Sequence, residues 1–211
     1  MEVIDFILHV DTHLANIITQ FGFFAYGILF LIIFAETGLV VAPFLPGDSL
    51  LFAVGAFAGA GHLNLFIIYS LLIIAGILGD TSNYLLGRHF GNKAFAQENS
   101  KIFKPEYLVK TQNFYAKYGA KAIILARFLP ILRTFAPFVA GVGKMDYTKF
   151  IVYNVVGAVL WVSVFILLGY FFGQMEIVKQ HFQYAVLGIV ALSFVPMIWE
   201  YFKYKRAQAG N

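Results

Sequence analysis

Arg127-Phe128-Leu129-Pro130-Ile131-Leu132-Arg133 decides how this chain is read, because its Phe-Leu-Pro triplet repeats Phe44-Leu45-Pro46 with opposite charges around it. Glu36 and Asp48 flank the first copy inside apolar sequence; Arg127 and Arg133 flank the second. An ionised side chain at membrane depth is costly, so it sits in a cavity, finds a partner and serves a function. Two proline-broken segments of opposite charge in corresponding halves are the pattern of a transporter built from repeats.

Outward from the triplets the halves keep matching. Ala58-Gly59-Ala60-Gly61 aligns with Ala140-Gly141-Val142-Gly143, and Phe66-Ile67-Ile68-Tyr69 with Phe150-Ile151-Val152-Tyr153, at an offset of 82 to 84 residues. His62 in the first copy is expected to face outside and Lys144 in the second to face inside. The copies then have opposite orientation, an inverted-topology repeat.

Composition agrees. Of 211 residues, 60% are hydrophobic and 12% charged, and the mean hydropathy of +0.77 is far above that of a soluble domain. The 24 Phe and 12 Tyr suit lipid contact and interfacial belts. Without Cys there is no disulfide framework, thiol catalysis or Cys-based metal site. The net charge of +4 belongs to loops, not to a soluble basic module, so nucleic acid is not an expected partner.

Apolar stretches run at 21–45, 49–60, 63–86, 119–143, 149–173 and 182–199. About 20 helical residues cross a bilayer core, so 21–41, 63–86, 149–173 and 182–199 are long enough to span. The stretch 43–60 is short and opens with Pro43, Pro46 and Gly47; 119–143 is interrupted at Pro130 and Pro137. Such backbone is tolerated at membrane depth only under cover of protein or a wet cavity, so both are expected to be re-entrant hairpins. The first 87 residues lack Lys and Arg, whereas 88–121 carry Arg88, Lys93, Lys101, Lys104, Lys110, Lys117 and Lys121. That segment and the tail, with Lys203, Lys205 and Arg206, are expected in the cytoplasm. Both reach it if 119–143 enters and returns. Gly87, Arg88 and Gly91 read as the end of the preceding helix. Residues 1–20 place Leu14, Ala15, Ile17 and Ile18 opposite Thr12, His13, Asn16 and Gln20, an amphipathic interfacial pattern.

The expected fold is an all-α integral membrane protein, an inverted-repeat helical bundle with two re-entrant hairpins and about four transmembrane spans. It forms one domain over 1–211: interfacial helix 1–20, first half 21–87 with hairpin 43–60, basic cytoplasmic segment 88–118, second half 119–201 with hairpin 119–143, and cytoplasmic tail 202–211.

Four residues carry the chemistry. Glu36 and Asp48 are twelve apart, about 18 Å on an unbroken helix, but Pro43, Pro46 and Gly47 allow them to converge. Pro130 does the same for Arg127 and Arg133. Guanidinium binds phosphate or carboxylate through paired donors, so the arginines are candidates for substrate and Glu36 and Asp48 for proton exchange. The bland alternative is mutual neutralisation that locks the hairpins. Asp80, in Gly79-Asp80-Thr81-Ser82-Asn83, is a third proton candidate, a partner for either arginine, or a polar helix end reaching interfacial water. Trp161 and Trp199 read as packing or interfacial anchors. There is no Walker loop, no His-Glu-x-x-His and no nucleophile elbow around Ser49, so no catalytic residue, metal or cofactor is expected.

Glu36-Thr37-Gly38, Phe44-Leu45-Pro46-Gly47-Asp48-Ser49-Leu50, Gly79-Asp80, Ala126-Arg127-Phe128-Leu129-Pro130-Ile131-Leu132-Arg133-Thr134, Pro137 and Ala140-Gly141 together resemble the DedA family over nearly the whole chain. The resemblance implies a bacterial inner-membrane protein whose acidic and arginine residues are needed and whose work depends on the proton motive force. Some members are implicated in returning undecaprenyl phosphate across the membrane, others in phospholipid movement, and eukaryotic relatives behave as scramblases. The expected activity is proton-coupled translocation of an anionic lipid phosphate, with membrane lipids, protons and a second copy of the chain as partners. A proton-coupled transporter of a small solute, a passive scramblase and a scaffold recruiting partners through 88–121 stay open.

Overall fold

The computed structural model describes residues 10–38, 47–94, 105–189 and 191. Within them every regular element is helical: α1 (Val10–Phe21), α2 (Phe24–Gly38), α3 (Gly47–Gly59), α4 (Leu65–Ala94), α5 (Pro105–Tyr118), a 3₁₀ turn (Gly119–Lys121), α6 (Ala122–Ala126), α7 (Pro130–Val142), α8 (Tyr147–Phe172) and α9 (Glu176–Gln180), with helix again over 182–189. Leu65–Phe90 and Tyr147–Phe172 are long and apolar enough to cross a membrane. The short helices α3 and α7, 13 residues each, reach about 20 Å at 1.5 Å per residue. A bilayer core is about 30 Å thick.

Burial runs opposite to that of a soluble protein. Phe66, Ile74, Leu78, Val152, Leu160 and Phe171 are exposed, while Asp80, Asn83 and Asn154 are buried. An apolar exterior around a polar interior belongs in hydrocarbon.

The two halves repeat in detail. Asn64 caps α4, its Oδ1 accepting from Ile67 N at 3.1 Å. Asp146, 82 residues on, caps α8 by accepting from Lys149 N at 3.0 Å. The ends of α3 and α7 close alike, 83 residues apart: His62 N donates to Phe57 O at 3.0 Å, and Met145 N to Ala140 O at 2.9 Å. The left-handed residue in these closures is Gly61 (φ 83°) in one half and Lys144 (φ 52°) in the other.

Each short helix packs on the long helix of the other half, α3 on α8 and α7 on α4. Glycine makes these seams backbone against backbone. A Cβ on Gly169 would strike the Phe52 carbonyl, and one on Gly55 that of Ile166; a Cβ on Gly87 would strike the Phe138 carbonyl, and one on Gly141 that of Tyr84. Gly87 and Gly169 are 82 apart, as are Tyr84 and Ile166; Phe52 and Phe138 are 86 apart, as are Gly55 and Gly141. The short helices themselves begin and end 83 apart. Relative to α3 on α8, α7 is therefore displaced along α4 by three residues, close to one turn and about 4.5 Å.

The main core gathers Leu29, Ile33, Leu51, Leu72, Trp161 and Ile166, and Leu14 of α1 packs into it with Ile18 beside it. The polar Thr12, His13, Asn16 and Gln20 of α1 are exposed, as its wheel predicts.

Two expectations need correction. α4 does not stop at Gly87, Arg88 or Gly91 but runs on to Ala94. Gly87 serves the seam with α7, and that close approach offsets the roughly 1 kcal/mol a mid-helix glycine costs. Pro137 does not interrupt its segment: it lies inside the continuous helix α7, which forgoes one hydrogen bond to the residue 133 carbonyl. The break falls before Pro130, which opens α7 after an extended Leu129 (φ −117°, ψ 105°). Pro43, Pro46, residues 1–9 of the amphipathic segment, 95–104 of the basic segment, Trp199 and the tail 202–211 lie outside the described residues.

Candidate functional site

The helix breaks bring the ionised residues together. Glu36 stands two residues from the end of α2, Asp48 in the first turn of α3 and Asp80 at the middle of α4. Arg127 follows α6, and Arg133 lies in the first turn of α7 beyond the Pro130 break. All five are buried, Glu36 and Asp80 to 1% exposure and Arg127 to 2%. For Asp80 this rules out a helix end reaching water.

The pairing is specific. Arg133 donates from Nη1 to Asp48 Oδ1 at 2.7 Å and from Nη2 to Glu36 Oε1. Arg127 uses Nη2 for an ion pair with Asp80 Oδ2, for Asn154 Oδ1 at 2.6 Å and for the Gly76 carbonyl at 3.3 Å. Asn154 is itself held, donating from Nδ2 to Ile77 O at 3.1 Å. Asn83 ties the α7 backbone to α4 by donating to Thr134 O at 2.7 Å.

Trp161 of α8 joins the two arginine sets. Its Nε1 donates to the same Asp48 Oδ1 at 2.7 Å. Its ring centroid is 5.0 Å from Arg133 Cζ and 5.8 Å from Arg127 Cζ, within cation–π range of both. Glycines make the fit possible: a Cβ on Gly47 would overlap the Glu36 carboxylate. Among the described residues, Glu36 Oε2, Asp80 Oδ1, Arg127 Nε and Nη1 and Arg133 Nε have no hydrogen-bond partner. Three carboxyls against two guanidiniums leave one acid in excess, so a single proton makes the cluster neutral.

A cavity of about 620 Å³ opens elsewhere, between α5, the 3₁₀ turn, the end of α7 and the start of α8. Tyr115, Val139, Met145 and Lys149 are among the residues lining it, and none of the five ionised residues does. Tyr115 also donates to the Ala136 carbonyl at 2.9 Å, one turn from Arg133. Among the described residues no group of three His, Asp or Glu is placed to hold a metal ion.

Glu36, Asp48, Asp80, Arg127 and Arg133 thus come together, with Gly47 against Glu36; Gly141 serves the seam. Sequence reasoning passed over Asn154 and the bridging position of Trp161. Asn154 left a signal, an amide inside the apolar run 149–173. Trp161 left none, since an aromatic there reads as packing.

The VTT domain matches residues 45–171 of this chain, which hold Asp48, Asp80, Arg127, Arg133, Asn154 and Trp161. Over 209 residues the chain is 54% identical to Protein DedA of Escherichia coli (strain K12), covering 98% of this chain and 95% of that protein. The chain belongs to the DedA family. A membrane protein of Mycobacterium leprae is 40% identical to this DedA-family chain over 180 residues, 84% of this chain and 81% of the relative. The inner membrane protein YqjA of Escherichia coli (strain K12) is 30% identical over 174 residues, 82% of this chain and 79% of that protein. Like these DedA-family relatives, this is a membrane protein. No solved structure matches the chain.

Proposed function

We propose that this DedA-family protein is a proton-motive-force-linked transporter that moves an anionic lipid phosphate, undecaprenyl phosphate, across the bacterial inner membrane for envelope synthesis. The observation that carries the reading is the buried cluster itself: two guanidiniums from one half, held by three carboxylates from the other.

A guanidinium binds phosphate through paired donors. An anion entering this dry site either displaces a carboxylate from its cation or adds negative charge beside the pairs, and either is costly unless a carboxyl takes a proton. Anion entry and proton uptake are therefore linked, because together they keep the cluster from gaining charge. Arg127 and Arg133 hold the phosphate in this reading, and Glu36, Asp48 and Asp80 carry protons. The headgroup travels through protein while its tail stays in lipid, which avoids dragging charge through hydrocarbon. No bond is made or broken, so the protein is not an enzyme.

The topology that goes with this function is an inverted repeat with re-entrant hairpins at 43–60 and 119–143, four spans, an interfacial segment 1–20, and both termini and the basic segment in the cytoplasm. The reciprocal packing of α3 on α8 and α7 on α4, and their short lengths, support it.

The test uses purified protein in liposomes with undecaprenyl phosphate accessible in one leaflet, with and without an imposed pH gradient, beside Arg127→Ala. Gradient-sensitive movement lost in the variant is expected. Equal movement of all lipids regardless of gradient would make the protein a scramblase. No movement by folded protein would turn the search to soluble solutes.

A further inference from the structure

We infer that the two arginines divide the work: Arg127 is the seat of the anion, and Arg133 is a lock that opens only when Glu36 and Asp48 let go. The inference rests on the anion-carrier reading and narrows it, giving the phosphate to Arg127 alone and not to both arginines.

The two guanidiniums are differently committed. Arg133 spends both terminal nitrogens on separate carboxylates, Nη2 on Glu36 of α2 and Nη1 on Asp48 of α3. Only its Nε has no partner among the described residues. Arg133 therefore ties α7 to two elements of the other half, and an incoming anion would have to displace two carboxylates to reach it. Arg127 concentrates every contact on one nitrogen: Nη2 meets Asp80, Asn154 and the Gly76 carbonyl. Its Nη1 and Nε are buried without a partner among the described residues. Two cationic donors in a dry site with nothing to donate to are expensive to keep, and an anion satisfies both.

Two glycines let the backbones of α4 and α8 close on Arg127. A Cβ on Gly157 of α8 would stand 3.0 Å from Arg127 Cδ and 3.1 Å from Nε; a Cβ on Gly76 of α4 would stand 3.3 Å from Nη1. Bare backbone therefore closes over the two uncommitted nitrogens, and an anion reaches them when α4 and α8 part at these glycines. The guanidinium of Arg133 lies closer to the Trp161 ring, 5.0 Å against 5.8 Å for Arg127. Trp161 gives the lock its return address: when Arg133 withdraws, the indole N–H still holds Asp48 Oδ1 in place.

The experiment is calorimetric binding to purified protein in detergent, paired with liposome transport. The probes are farnesyl phosphate and inorganic phosphate, which share the headgroup and differ in the lipid tail. Arg127→Gln and Gly157→Ala should weaken binding at least about tenfold, the worth of one charge-assisted hydrogen bond. Arg133→Gln should bind within about threefold of wild type and yet fail to transport. Gly157→Ala removes no charged group, so it stays informative if Arg127→Gln does not fold; Glu36→Gln/Arg133→Gln plays the same part for the lock. Binding of both probes, or of farnesyl phosphate alone, supports the seat, and the difference tells whether the tail is read. If wild type binds the probe but Arg133→Gln loses it as fully as Arg127→Gln, or Gly157→Ala binds normally, the division of roles is wrong. If folded wild type binds neither probe, the carrier reading fails and takes this one with it.

Discussion

Replacing Arg127 by Gln removes a charge on which three buried acceptors converge, and the cost can be worked out from the cluster. Asp80 is left 1% exposed with no cation, and Asn154 Oδ1, fully buried, loses its donor. The excess of carboxyls rises from one to two. Breaking a buried pair from one side costs about 3–5 kcal/mol. Asp80→Asn is milder, since Arg127 keeps Asn154 and the Gly76 carbonyl and the cluster becomes charge-balanced; about 1–3 kcal/mol is expected. The double variant restores the original excess of one and puts two amides where the ion pair stood. It should cost no more than about 3 kcal/mol, so the two changes couple by at least about 1 kcal/mol and by about 3 kcal/mol at mid-range costs. Unfolding of the purified proteins in mixed micelles by SDS titration measures all four corners of the cycle. Costs that simply add, within about 0.5 kcal/mol, would mean that the two charges are separately solvated and that the site is not dry.

Gly141→Val should destabilise by about 1–3 kcal/mol or more, because its Cβ falls on the Tyr84 carbonyl, whereas Gly188→Ala, with nothing within 4 Å, should be neutral or stabilising in the same titration. Trp161→Phe keeps the ring but leaves Asp48 one donor short, a loss of about 1–3 kcal/mol; Trp161→Leu should lose about 1–2 kcal/mol more with the cation–π contacts. Lys144→Gly relieves a left-handed residue (φ 52°) worth about 1–2 kcal/mol, of which glycine's extra freedom in the unfolded chain takes back about half, so a small rise in thermal midpoint is expected. Burial, helped by the Asp80 charge, raises the Tyr115 hydroxyl above the ordinary tyrosine range. The unfolded chain therefore loses that proton first, and stability falls as pH rises above about 10. Tyr115→Phe should flatten that limb of the pH–stability curve, and an unchanged slope would mean that the hydroxyl is solvated.

Glu36, Asp48, Arg127 and Arg133 were legible because an ionised residue in apolar sequence has few innocent explanations. Their pairing was not, since spacing across a proline break permits convergence without choosing partners, and Asp80 had several roles open. Trp161 and Asn154 join the cluster only because α8 lies across both arginines, a tertiary fact with no local mark. Gly87 and Gly91 followed by polar sequence look like the end of a helix, and local chemistry has no means of signalling that a neighbouring carbonyl needs Gly87 bare. The repeat was visible at 82 to 84 residues, yet sequence alignment pairs Gly59 with Gly141, whereas the packing makes Gly55 the counterpart of Gly141. Glycines one turn apart offer two registers, and only the fold selects between them.

That choice of register sets two notches in one molecule, α3 seated at one on α8 and α7 at the other on α4. At the glycine contacts themselves backbone meets backbone and no side chain interlocks across the seam. Were α7 to move to the notch that α3 occupies, Arg133 in its first turn would travel about 4.5 Å, further than a hydrogen bond stretches. The bonds from Arg133 to Glu36 and Asp48 hold α7 at the notch it occupies.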